Sequence, residues 1–123
     1  MDNKRMKSVI KNSKEIMDYY DECAAAISAL HHAIEAEIDA TEEYEEAKRR
    51  TALAILEGGP IPKDVREARV MEHVMPEYNA MLEASRDRRE AACRKEIAKL
   101  KVQMIRDIND WESGISPKQR STG

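Results

Sequence analysis

The side chains most able to do chemistry are the carboxylates of one short stretch: Glu35, Glu37, Asp39, Glu42, Glu43, Glu45 and Glu46. Residues 15–46 carry eleven acids and no Lys or Arg, a run of one sign. Carboxylates in such numbers hold metal ions, move protons or attract a cationic partner. A di-metal centre in a helical protein needs Glu-x-x-His on two helices. The residues three before His31, His32 and His73 are Ser28, Ala29 and Val70, so that motif is absent. A magnesium site built on Glu42, Glu43, Glu45 and Glu46 needs a second carboxylate pair at helical spacing, and none is evident. Nucleophilic catalysis is no better served, because Cys23 and Cys93 fall on apolar stripes, where a thiol behaves as a small inert hydrophobe. Gly58-Gly59-Pro60 lacks the Gly-Lys-Ser/Thr of a phosphate loop. The reading is a protein that is not an enzyme and needs no cofactor or metal.

A second charged group lies downstream. Arg86, Arg88, Arg89, Arg94 and Lys95 open a stretch, residues 86–106, with eight bases against three acids. Residues 1–14 hold five bases and one acid, so a formal net charge of -3 conceals strong segregation. The basic group suits phosphate neutralisation or contact with another subunit. Direct nucleic-acid binding is the weaker reading, since aromatics make up only 4% of the chain and no DNA-binding motif is present.

The elements that carry these charges are helices. The chain has 123 residues, one domain's worth, and neither Gly nor Pro occurs before Gly58. Apolar residues recur at steps of three and four along the first half. One row is Val9, Ile16, Cys23, Leu30, Glu37, Tyr44 and Thr51; its companion is Met6, Ser13, Tyr20, Ile27, Ile34, Thr41, Lys48 and Ile55. This predicts a helix over 6–57, a turn over 58–63 and a second helix over 64–112. Gly58 is expected to take the left-handed conformation that ends the first helix, and Asp64 with Glu67 to cap the second. The second stripe reads Met71, Met75, Tyr78, Leu82, Ser85, Arg89, Cys93, Ile97, Leu100, Met104, Ile108 and Trp111. Pro76 predicts a kink or break near Met75, and residues 114–123 read as a mobile tail.

The expected fold is therefore all-α: a long antiparallel helical hairpin or coiled coil. With the turn at Gly59-Pro60, Ile97 falls near Glu22 and Cys23, and the two cysteines lie within about one helical turn along the axis. The basic 86–106 stretch then faces Glu15, Asp18, Asp21 and Glu22, while the Glu35–Glu46 carboxylates are left without a cation. A two-helix hairpin buries little surface for a chain of this length, so self-association into a homodimeric helical bundle is expected. No apolar run reaches the ~18 residues of a membrane span, and no apolar core of a signal peptide follows the basic N-terminus, so the expected location is cytoplasmic.

Gly58-Gly59-Pro60, Glu67-Ala68-Arg69, Leu82-Glu83-Ala84-Ser85-Arg86-Asp87-Arg88-Arg89 and Ile97-Ala98-Lys99-Leu100-Lys101 cover about half the chain. Through them the chain resembles the small, Ala- and Arg-rich helical-hairpin accessory proteins of tailed bacteriophages and prophages. The resemblance implies an accessory protein acting in the host cytoplasm on DNA metabolism or host defence, and it transfers no functional residue. The leading expectation is a non-enzymatic interaction protein, a modulator or inhibitor that turns its acidic helix face, as a DNA mimic, toward a basic protein partner. The alternatives are a nucleic-acid-associated accessory protein for recombination or replication using 86–106, and a structural coiled-coil scaffold. The acidic face itself reads alternatively as a contact with the Arg86–Lys95 stretch of another subunit or as a solvated helix face.

Overall fold

A computed structural model describes the backbone of residues 2–112 and Gly114, with side chains from Ser13 onward. The 114–123 tail beyond Gly114, and the Met6 and Val9 side chains of the expected rows, lie outside the described residues. Two helices, α1 (Asp2–Glu57) and α2 (Lys63–Glu112), pack against each other as a hairpin, with no strand among the described residues.

The turn differs from expectation in detail. The amides of Gly58 and Gly59 donate to the carbonyls of Ile55 and Leu56, each at 3.2 Å, which tightens the end of α1. Gly59, rather than Gly58, takes the left-handed backbone, with φ 114°. The two tightening bonds carry Gly58 along with the helix and leave the reversal to the next residue. The Arg66 amide donates to the Pro62 carbonyl at 3.0 Å, so α2 begins one residue before the expected cap. Asp64 thus sits inside the first turn, where its charge meets unpaired amides of the helix N-terminus. Pro76 lies within α2 without breaking it. Val74, 1% exposed, and half-buried Tyr78 anchor the chain on either side of the lost hydrogen bond.

The chain divides into two compact units. In the unit of residues 30–90, α1 contributes Leu30, Ala33, Glu37, Ala40, Tyr44, Ala47 and Thr51 to the packed seam. α2 contributes Val70, Val74, Glu77, Met81, Ala84 and Arg88, all buried or half-buried. Tyr44, Val70 and Val74 form the core, with Ile55, Met71 and Tyr78 against it. The Tyr44 and Tyr78 rings meet tilted at 5.5 Å, and the Tyr44 hydroxyl donates to the Met71 Sδ at 3.5 Å. In the other unit, residues 1–29 and 91–123, the described seam is Ile16, Tyr19, Cys23 and Ala26 on α1. On α2 it is Ala91, Lys95, Ala98, Val102, Ile105 and Asn109.

In both units the seam row Ile16, Cys23, Leu30, Glu37, Tyr44, Thr51 is the expected one, but its companion is not. Ala26, Ala33, Ala40 and Ala47 take the place of Tyr20, Ile27, Ile34 and Lys48, which are exposed, while Thr41 and Ile55 of the expected row are half-buried. On α2 the seam lies one residue before the expected stripe in the unit of residues 30–90, a rotation of ~100°, and about two residues before it in the other unit, a rotation of ~200°. Met75, Leu82, Ile97, Leu100, Met104, Ile108 and Trp111 are consequently exposed. Cys93 is exposed while Cys23 is half-buried, so the two thiols occupy different faces and both are free. The cause is the alanine spacing. Alanines at every seventh residue on α1 (26, 33, 40, 47) and on α2 (84, 91, 98) let the helices approach closely. Many backbone and Cβ atoms then come within dispersion range, which bulky side chains between the helices prevent.

Two outcomes test this. Ala98, 1% exposed, has no room for growth, so Ala98→Leu should cost about 1–3 kcal/mol in urea unfolding. Gly59→Ala should cost about 1–2 kcal/mol through its positive φ, whereas Gly58→Ala, whose Cβ would lie an ordinary 3.4 Å from the Ile55 carbonyl oxygen, should be nearly silent.

Candidate functional site

The helical period sorts the seven carboxylates onto different faces of α1. Glu35, Asp39, Glu42 and Glu46 are spaced by four, three and four, so they form one ridge on the side away from the seam. The ridge is about 16 Å long, at ~1.5 Å per residue. All four are exposed, and exposed Glu43 and Glu45 stand on its two flanks. Among the described residues the ridge has one ion pair, Arg50 to Glu46 at 3.8 Å, between two largely exposed side chains. A pair of that kind contributes little in water. His32 extends the row by one step toward the N-terminus and is exposed.

Glu37 behaves differently. It belongs to the seam, where the Arg88 Nε donates to its Oε2 at 2.7 Å. The hydrogen bond from Arg88 holds the Glu37 carboxyl below its ordinary value of 4.5, against the opposing effect of desolvation. The Arg88 charge, a hydrogen bond from Ser85 and the Arg89 charge act in the same direction. The expectation that the whole acidic stretch lacks a cation is therefore corrected at this position. In the other unit, Lys101 meets Glu22 at 3.2 Å and places its Nζ 5.9 Å from the centre of the Tyr19 ring. Glu22 thus faces a residue one helical turn beyond Ile97, because long side chains pair diagonally across the seam.

The five basic residues do not share a face. Arg86, Arg89 and Arg94 are exposed, Arg88 is committed to Glu37, and Lys95 is half-buried in the seam. Arg89 also donates to the carbonyl of Ser85 at 3.4 Å, on its own helix. They form no single strip along which a phosphate backbone could run. Glu77 is a residue the apolar pattern missed. It enters the seam with one carboxylate oxygen buried and without a hydrogen-bond partner among the described residues. Its position, seven after Val70 and seven before Ala84, was the signal.

Beside the flank that carries Glu45 lies an open groove of about 450 Å³. Ala52, Val70 and Met71 form its floor, and Lys48, Arg49, Arg66 and Glu67 join Glu45 at its rim. Its mixed charge favours no single class of small molecule. Among the described residues no three His, Cys, Asp or Glu side chains converge to hold a metal ion. No helix there is long and apolar enough to cross a membrane. No protein-family model, curated protein or solved structure matches the chain.

The Glu37 carboxyl gives a pH-dependent outcome. Its folded-state value is depressed, so the stabilisation is complete above the unfolded value and disappears as pH falls through the folded one. Thermal melts from neutral pH downward should show wild type above Glu37→Gln near neutrality, with the two converging as pH drops below the ordinary carboxylate range. A gap that stays constant across that range would assign the loss to packing instead.

Proposed function

We propose that this protein is a non-enzymatic interaction module that presents the Glu35–Asp39–Glu42–Glu46 ridge to a basic protein surface. The observation that carries the reading is the division of labour among the acids. Glu22 and Glu37 are paired with bases of the hairpin, whereas the ridge faces water along its length with one weak ion pair. A helix under no demand but solubility is better served by interspersed signs. A row of like charges repels itself and creates a field that draws in cations and speeds their encounter.

The charge density supports a partner that ordinarily handles nucleic acid. Four carboxylates along ~16 Å give one charge about every 5.5 Å, and the flanking Glu43 and Glu45 bring the stretch to six, near the density of one DNA strand with a phosphate about every 3.4 Å of axis. Together with the resemblance to phage accessory proteins, this favours a modulator or inhibitor of a host nucleic-acid or defence enzyme, acting in the host cytoplasm. The ridge takes the place of a phosphate backbone in the partner's basic groove.

The test uses a chain in which Glu42, Glu43, Glu45 and Glu46 are all changed to Gln. These side chains are exposed, so helicity by circular dichroism should not change. Binding of an arginine-rich helical peptide, followed by fluorescence anisotropy at low salt, should weaken by about tenfold. Added salt should weaken the wild-type complex more steeply than the variant's. Equal affinities and equal salt slopes would refute the reading.

A further inference from the structure

We propose that the outer face of α2 between Cys93 and Trp111 receives a second copy of this chain, with α2 lying antiparallel to its counterpart about a two-fold axis near Leu100. Cys93, Ile97, Leu100, Met104 and Trp111 repeat at three-and-four spacing on the side of α2 opposite its seam, with Ile108 on the flank. They are exposed far beyond what a covered helix shows, Leu100 and Met104 at 62% and Trp111 at 83%. This part of α2 therefore carries two apolar rows on opposite sides. Ala91, Ala98 and Val102 are covered within the chain and the larger residues are not. A helix apolar on two faces belongs between two neighbours.

Charge selects the occupant. Asp107 is the one charged side chain in the three-and-four row, between Met104 and Trp111. A parallel pairing sets Asp107 against Asp107 of the second copy, burying like charges. The antiparallel pairing that puts Ile97 opposite Met104 sets Arg94 beside Asp107 and Cys93 opposite Ile108. The face is thus self-complementary in one direction only, the condition for a closed two-fold dimer. The acidic ridge on α1 takes no part in it.

Sedimentation equilibrium of the full chain at about 100 µM should give a dimer, a concentration that populates a complex of micromolar affinity. Leu100→Glu should raise the dissociation constant about a hundredfold or more, because it buries a charge at the axis, while helicity stays unchanged. A chain carrying Cys23→Ala and Ile108→Cys tests the direction under mild oxidation. Positions 93 and 108 are about 22 Å apart on one helix, so a disulfide joining them must link two copies. That crosslink is expected, and it should form faster than any dimer of the Cys23→Ala chain. A monomer at that concentration, a Leu100→Glu chain that dimerises as well as wild type, or preferential Cys93-to-Cys93 crosslinking would each overturn the proposal.

Discussion

Everything in this hairpin depends on how closely two helices can approach, and alanine sets that distance. Ala26, Ala33, Ala40 and Ala47 on α1 and Ala84, Ala91 and Ala98 on α2 repeat every seven residues, the period at which a helix returns to the same side of a neighbour. The small side chains bring the backbones together, and the attraction comes from many short contacts rather than from a few large residues. Ala98 is 1% exposed, whereas Leu100, two residues on, is turned outward. A side chain of leucine's size forced into that seam would separate the helices and lose the contacts of its neighbours.

A seam of alanines is attractive but nearly featureless, since any shift by seven residues puts alanine on alanine again. Register has to come from the exceptions. Among the described residues Tyr44 is the one aromatic in the buried core, seated by Val70 and Val74 and oriented by its contacts with Tyr78 and Met71. In the same unit Arg88 and Glu37 form the close ion pair, and a slip of the helices would leave both charges against apolar surface. Lys101 with Glu22 and Tyr19 adds an exposed and weaker cross-helix contact in the other unit. These pairs divide the acids of α1 into two classes. Glu22 and Glu37 find bases on α2, and Glu35, Asp39, Glu42 and Glu46 on the opposite side face water.

The same division separates what was legible in the sequence from what was not. The helices, the turn between Glu57 and Lys63 and the row through Ile16, Leu30 and Tyr44 follow from spacing and from the absence of Gly and Pro before Gly58. The acidic ridge was legible too, because the helical period alone places Glu35, Asp39, Glu42 and Glu46 on one side. The α2 seam was misread because apolar size was taken as the guide to burial. Ile97, Met104 and Trp111 outweigh Ala91 and Ala98 on any transfer scale, yet the alanines are inside. Pro76 does not end α2, because one missing hydrogen bond is a local cost and Val74 and Tyr78 on either side are held by contacts distant in sequence.

By itself, then, the sequence determined that the chain is helical, where it turns and which side of α1 is acidic, since these are properties of a single helix and its own neighbours. Only the tertiary structure decided which side of α2 is inside, that Arg88 is the partner of Glu37, that Gly59 makes the left-handed reversal, and that Cys93 and Trp111 lie on an open face. Each depends on the distance and rotation between two helices, and that is a property of the pair. Alanine, the residue least conspicuous in a hydropathy profile, controls it because its effect lies in how near the other helix can come.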